Sequence, residues 1–165
     1  MSDKPEVKRF VPSPHFSSRN GTKISRIVLH YTTSRNHEGS LAWWQDPRAQ
    51  VSAHYLIARN GELFQAVKDA DKAWHARNAN PESIGIEFAA ETGDAMTPEQ
   101  EATAIQLIRW LVEEYDIPWT RINGHRFTPG NIGATDCPGD VFGERTEKAV
   151  LDWVDSKVRL DACAA

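Results

Sequence analysis

The segment from Ala53 to Val67 constrains the fold more than any other stretch of this chain. It reads AHYLIA, then Arg59-Asn60-Gly61, then ELFQAV, two short β-prone blocks around an Asn-Gly turn. Asn-Gly supplies the positive φ angles of a tight hairpin, so two adjacent antiparallel strands are expected here. Ile24 to Thr32 (ISRIVLHYT) and Ser83 to Ala89 (SIGIEFA) are further short runs rich in β-branched and aromatic residues, the composition of buried strands. Arg121 to Gly124 reads as a short final strand. Helices are interleaved with these strands. Thr97 to Tyr115 opens on Thr97 as N-cap, with Pro98 at the first helical position and Gln100 completing a capping box. Ile105, Ile108, Val112 and Tyr115 then recur at helical spacing. A shorter helix is expected over Ser40 to Gln50, carrying Trp43 and Trp44, and a last one over about Glu144 to Leu160, with Val150, Val154 and Val158 on one face. This alternation predicts an α/β fold: a single domain with a central mixed β-sheet flanked by helices.

A length of 165 residues fits that reading, because one domain of this size buries roughly 70% of its unfolded surface. Residues 1–23, rich in Pro, Ser, Asn and charge, read as an irregular lead-in, residues 24–160 as the folded domain and residues 161–165 as a flexible tail. With 23 acidic and 19 basic side chains and no Lys/Arg-rich block, no electrostatic grip on nucleic acid or anionic lipid is expected. No apolar run approaches the ~20 residues that span a bilayer. The opening MSDKPEVKRFVPSPH holds no signal-peptide hydrophobic core, so cytoplasmic synthesis and no membrane association are expected. Two cysteines, Cys137 and Cys163, make no disulfide framework, and Cys163 sits in the tail.

The chemistry-bearing residues gather at strand ends and in loops, where an α/β sheet displays functional groups. His30 ends the block IVLH, His125 follows RING, Cys137 lies in Thr-Asp-Cys-Pro-Gly, and His75 lies in Ala-Trp-His-Ala. His30, His125 and Cys137 are a reasonable three-ligand zinc set with one open position, which is catalytic in kind. Buried structural histidines and an inert thiol are the competing reading. Glu87 is the one charge in Ile-Gly-Ile-Glu-Phe. A carboxylate there is costly unless it faces a polar site, so it is either a general base or part of a solvent-facing edge strand. Strand alternation puts it on the face of Gly85, opposite Ile84, Ile86 and Phe88. His15 and His37 read as loop surface, and His54 carries no assigned role.

Taken in order, IVLHYT, VSAHYLIARNGELFQAV, KAWHA, SIGIEFA, INGHR and TDCPG resemble the zinc-dependent N-acetylmuramoyl-L-alanine amidases. That family includes phage endolysins, cell-wall recycling amidases and peptidoglycan recognition proteins, and the match runs from about Ile24 to Val158. The resemblance makes 24–160 a catalytic domain that cleaves the amide between N-acetylmuramic acid and L-alanine in peptidoglycan, with one Zn2+ per chain. It implies His30, His125 and Cys137 as metal ligands and Glu87 and Thr135 as catalytic residues. His75, Tyr55 and Trp44 are candidate substrate contacts. Tyr55 is expected on the face of Ala53, where some phage amidases carry a catalytic tyrosine. The short single domain suggests a monomeric, bacteriolytic endolysin reaching the periplasm and host wall after release. A cytoplasmic muropeptide-recycling amidase is the alternative, and a non-catalytic peptidoglycan-binding module or a Cys137-nucleophile hydrolase are the remaining rivals.

Overall fold

The apolar blocks converge on one sheet. The computed structural model describes residues 1–159, so the tail at 161–165, Cys163 included, lies outside the described residues. In chain order the early elements are β1 (Val7–Phe10), β2 (Phe16–Ser18), β3 (Arg26–Tyr31), α1 (His37–Gln45), β4 (Tyr55–Ile57) and β5 (Leu63–Gln65). They are followed by β6 (Asp71–Ala73), β7 (Ser83–Phe88), α2 (Pro98–Tyr115), β8 (Ile122–Gly124) and α3 (Glu147–Trp153). Six strands form a sheet in the order β1-β5-β4-β7-β3-β8, and β2 pairs with β6 apart from it. The β4–β5 hairpin is antiparallel while β7 runs parallel to both β3 and β4, so the sheet is mixed as expected. Gly61 takes φ +87° at the hairpin turn, the left-handed angle that Asn-Gly was expected to supply.

β7 lies inside the sheet with both of its edges paired, and its two faces meet different surroundings. Ile84, Ile86 and Phe88 join Ile27, Leu29, Tyr55 and Ile57 in a core closed by Leu107, Ile108 and Leu111 of α2 and Val150 of α3. Each such side chain, fully withdrawn from water, contributes about 1.5–3 kcal/mol. The opposite face is split. Leu41 and Trp44 of α1 cover Ala53, Leu56 and Phe64, while β3 and β7 present His30 and Glu87 side by side in register.

Helix α2 carries the full capping box: the Thr97 side chain accepts from Gln100 N–H and the Gln100 side chain accepts from Thr97 N–H. Its buried stripe is Ala104, Leu107, Ile108, Leu111 and Val112, rotated from the expected one, with Ile105 and Tyr115 at its margin. Other boundaries also differ. Asn36 caps α1, which therefore starts before Ser40 and ends at Gln45. Thr146 caps α3, so the last helix begins at Glu147 and passes into a π-helical turn over Val154–Val158. The lead-in at 1–23 is not wholly irregular: it supplies β1, which pairs parallel with β5, and β2. No helix among the described residues is long and apolar enough to cross a membrane.

Candidate metal centre

Three donors meet above the β3–β8 edge of the sheet. Leu29 and Gly124 are partners in the parallel β3–β8 ladder, so the next residues, His30 and His125, emerge side by side. Their rings lie 4.4 Å apart between centroids. Cys137 arrives from the long loop after β8. A Cβ on Gly124 would stand 2.9 Å from Pro138 Cδ, so glycine there lets the Cys-Pro turn pack directly on the strand. Tyr31 N–H donates to Cys137 Sγ at 3.3 Å, and Sγ lies 3.5 Å from His30 Nδ1. One donor atom each from His30, His125 and Cys137 falls within 4.8 Å of the others.

Burial sets the protonation of this cluster. It holds the His30 and His75 imidazoles well below the ordinary range, reinforced by neighbouring histidines, and lowers His125 as well. It pushes the Cys137 thiol well above its usual value, and the Glu87 carboxyl pushes the same way. A buried, protonated thiol beside neutral imidazoles is a poor nucleophile, which disfavours the cysteine-hydrolase reading. The donor set does suit a soft divalent cation: neutral imidazoles offer lone pairs, and a cation would draw the proton from the thiol. Around His125 the hydrogen bonds leave one nitrogen for that purpose. Asn131 is buried, its Nδ2 donates to the Ala76 carbonyl at 2.9 Å, and its Oδ1 lies 3.1 Å from His125 Nε2. Oδ1 therefore accepts from Nε2–H, and Nδ1 remains free.

Glu87 faces the same space. Its Oε1 is 3.9 Å from His30 Nδ1, and its Oε2 is buried with no hydrogen-bond partner among the described residues. Burial pushes its carboxyl up to about 8. The edge-strand reading of this residue fails, since β7 is internal to the sheet. Thr135 lies on the wall of the cleft, its Oγ1 accepting from Cys137 N–H at 3.1 Å and leaving its own proton to donate. The cleft has two adjoining lobes of about 310 and 360 Å³ that share Tyr31, Thr33, Trp44, Val51 and Glu87. The ligand cluster lies in the smaller lobe, and Trp43, 47% exposed, flanks the larger. Trp44 both packs in the core beneath α1 and reaches the two lobes.

Two expectations fail here. Tyr55 is no substrate contact: it is fully buried in the α2-side core and its hydroxyl donates to Asp69 Oδ1 at 2.7 Å. The strand begins only at Tyr55, so alternation does not carry back to Ala53, which packs under α1 on the other side. His15 is not loop surface either, being 5% exposed with Nε2 2.8 Å from the Asp46 carbonyl. His75 lines the cleft but has both ring nitrogens engaged, Nδ1 at 2.8 Å from His30 Nε2 and Nε2 at 3.0 Å from Ser83 Oγ. Asn131 and Ser83 escaped the sequence reading. A lone Asn in a Gly-rich loop and a Ser opening a strand carry no signal of what they will face.

A family model described as N-acetylmuramoyl-L-alanine amidase matches residues 20–140. The chain belongs to that family of hydrolases. It is 32% identical to the 1,6-anhydro-N-acetylmuramyl-L-alanine amidase AmpD of Salmonella typhimurium, over 81% of this chain and 84% of that protein. It is 41% identical over 87 residues to N-acetylmuramoyl-L-alanine amidase A of Achromobacter lyticus, a match that spans only 49% of that protein. A crystal structure of a selenomethionine AmpD derivative superposes with TM-score 0.68 at 26% identity, covering 91% of this chain and 99% of that one. This chain thus shares its overall fold with that AmpD structure.

Proposed function

We propose that this chain hydrolyses the amide between N-acetylmuramic acid and L-alanine, with zinc held by His30, His125 and Cys137. The observation that carries the reading is the unpartnered, buried Glu87 Oε2 in the same cleft as that donor cluster. A zinc ion with three protein ligands supplies Lewis acidity towards water and towards the scissile carbonyl. Glu87, raised towards neutrality by burial, is matched to taking a proton from the attacking water and returning it to the leaving L-alanine nitrogen. The Thr135 hydroxyl, which accepts from Cys137 N–H, has its own proton to donate to the developing oxyanion. The walls beside Trp43, Trp44 and Val51 offer apolar surface along which the sugar and lactyl portion can lie.

Two settings fit the open cleft: a phage-type endolysin acting on intact wall, and a recycling amidase acting on small anhydro-muropeptides. The relationship to AmpD, which extends over most of both chains, favours the second. The test is digestion of purified peptidoglycan and, separately, of anhydro-muropeptides, with and without chelator, followed by mass spectrometry. Stem peptides with a free N-terminal L-alanine, lost on chelation and restored by zinc, are expected. Products cut elsewhere, or turnover indifferent to chelator, would refute the reading, and binding without cleavage would leave a recognition module.

A further inference from the structure

We propose that His75 is a positioning residue for His30: together with Ser83 it holds the His30 proton on Nε2 and so keeps Nδ1 open towards the metal. This rests on the reading of His30 as a ligand. The two nitrogens of His30 face different surroundings. Nδ1 looks into the cleft, with Cys137 Sγ at 3.5 Å and Glu87 Oε1 at 3.9 Å. Nε2 looks away, 2.8 Å from His75 Nδ1. Neutral imidazole carries one proton, so a lone pair on Nδ1 requires the proton on Nε2, where it donates to His75 Nδ1. That in turn puts the His75 proton on Nε2, within 3.0 Å of Ser83 Oγ. The opposite order, with His75 donating, would leave the His30 proton on Nδ1, pointing at the position the cation must take.

The rest of the fold is shaped to keep this file of three side chains in place. A Cβ on Gly85 would meet the His75 ring at 2.7 Å from Nδ1 and 2.8 Å from Cγ, so glycine in β7 makes the floor on which the ring lies. Ser83 is fully buried at the start of the same strand. Asn80 Oδ1 accepts from His75 N–H at 3.0 Å and from Ala76 N–H at 2.6 Å, anchoring the backbone that carries the ring. The ring of His54 closes the edge, 5.9 Å away between centroids. On the neighbouring ligand, Asn131 performs the equivalent task for His125 Nε2. Ligating histidines in general depend on such outer partners, whose loss weakens metal binding by about 10–100-fold.

The experiment has two arms. NMR of isotope-labelled imidazoles in the metal-free wild type, with the His30 signals assigned by their loss in His30→Gln, reads the tautomer directly. A proton on Nε2 is expected, and a proton on Nδ1 would overturn the proposal. Zinc affinity by competition with a chromophoric chelator is then compared across wild type, His75→Leu and His75→Asn. His75→Leu should bind about 10–100-fold more weakly, while His75→Asn, whose amide oxygen can replace Nδ1 as acceptor, should stay near wild type. Should His75→Leu fail to fold, Ser83→Ala cuts the same file one link further out and should shift affinity in the same direction. Unchanged affinity in the folded variants, against a wild type that does bind zinc, overturns the role of His75 alone. A wild type that takes up no zinc overturns the metal reading, and this role with it.

Discussion

Glu87 shows most clearly how one side chain can be costly to the fold and useful to the site. It sits on a central strand, its Oε2 has no partner among the described residues, and burial raises its carboxyl to about 8. Glu87→Gln preserves shape and hydrogen-bonding capacity but removes the titrating oxygen. Turnover should fall by about 10²–10⁴-fold, the usual contribution of a positioned proton carrier, while zinc content and the melting temperature stay near wild type. Product release measured beside metal analysis and thermal melts checks this, and a near-wild-type rate would remove Glu87 from the mechanism. Glu87 was legible because a single charge in an apolar strand is an anomaly in any sequence. Cys137 was legible because Pro138 and Gly139 mark its turn. Tyr55 departs from the face expected of it because the strand begins only there, so alternation does not reach back to Ala53. The engagement of His75 was hidden because Ser83 and Gly85 reach it only through the fold.

At the scale of elements, Gln100 ties helix α2 to two strands of the sheet at once. Gln100 is fully buried; its Nε2 donates to the Ile57 and Ala89 carbonyls at 3.1 and 2.9 Å, and its Oε1 accepts from Thr97 N–H at 3.0 Å. The residue that completes the capping box thus also binds the ends of β4 and β7. Gln100→Leu keeps the volume and removes these bonds, so it should destabilise the protein by roughly 1–3 kcal/mol. Urea unfolding of the variant beside wild type measures the difference, and a loss within experimental error would show that the Gln100 bonds add nothing to the packing of the helix. The capping box itself was visible in the sequence, but its second task was not, since the two carbonyls lie 43 and 11 residues away. The same distinction separates strands that were legible from those that were not. β3 and β7 are buried on both faces and read as apolar runs, whereas β1 is a mostly exposed edge strand of sequence VKRF. Its strand character comes from pairing with β5, which no local pattern announces.

Across the whole molecule the sheet has an apolar face under α2 and α3 and a second face on which buried histidines lie beside an apolar cluster under α1. That second face makes the metal-free protein sensitive to acid. His54 is fully buried, its Nδ1 accepting from Gly85 N–H at 3.0 Å and its Nε2 2.8 Å from the Asp71 carbonyl. Burial pulls its pKa from 6.5 to about 4, with the Arg19 guanidinium pushing the same way and the Asp71 carbonyl and Asp69 opposing. His75 is the remaining titratable ring against it. Below about 6.5 the unfolded chain takes up a proton that the folded chain refuses until about 4. Stability from this group is therefore complete above that window and is lost as pH falls through it. At about 1.4 kcal/mol per pH unit the loss reaches roughly 3 kcal/mol. Urea unfolding of chelator-treated protein at pH values spanning the window should show this slope. His54→Asn keeps an acceptor for Gly85 N–H but cannot take the proton, so its slope should be flatter by that amount. An equal slope in both proteins would assign the acid sensitivity to groups other than His54.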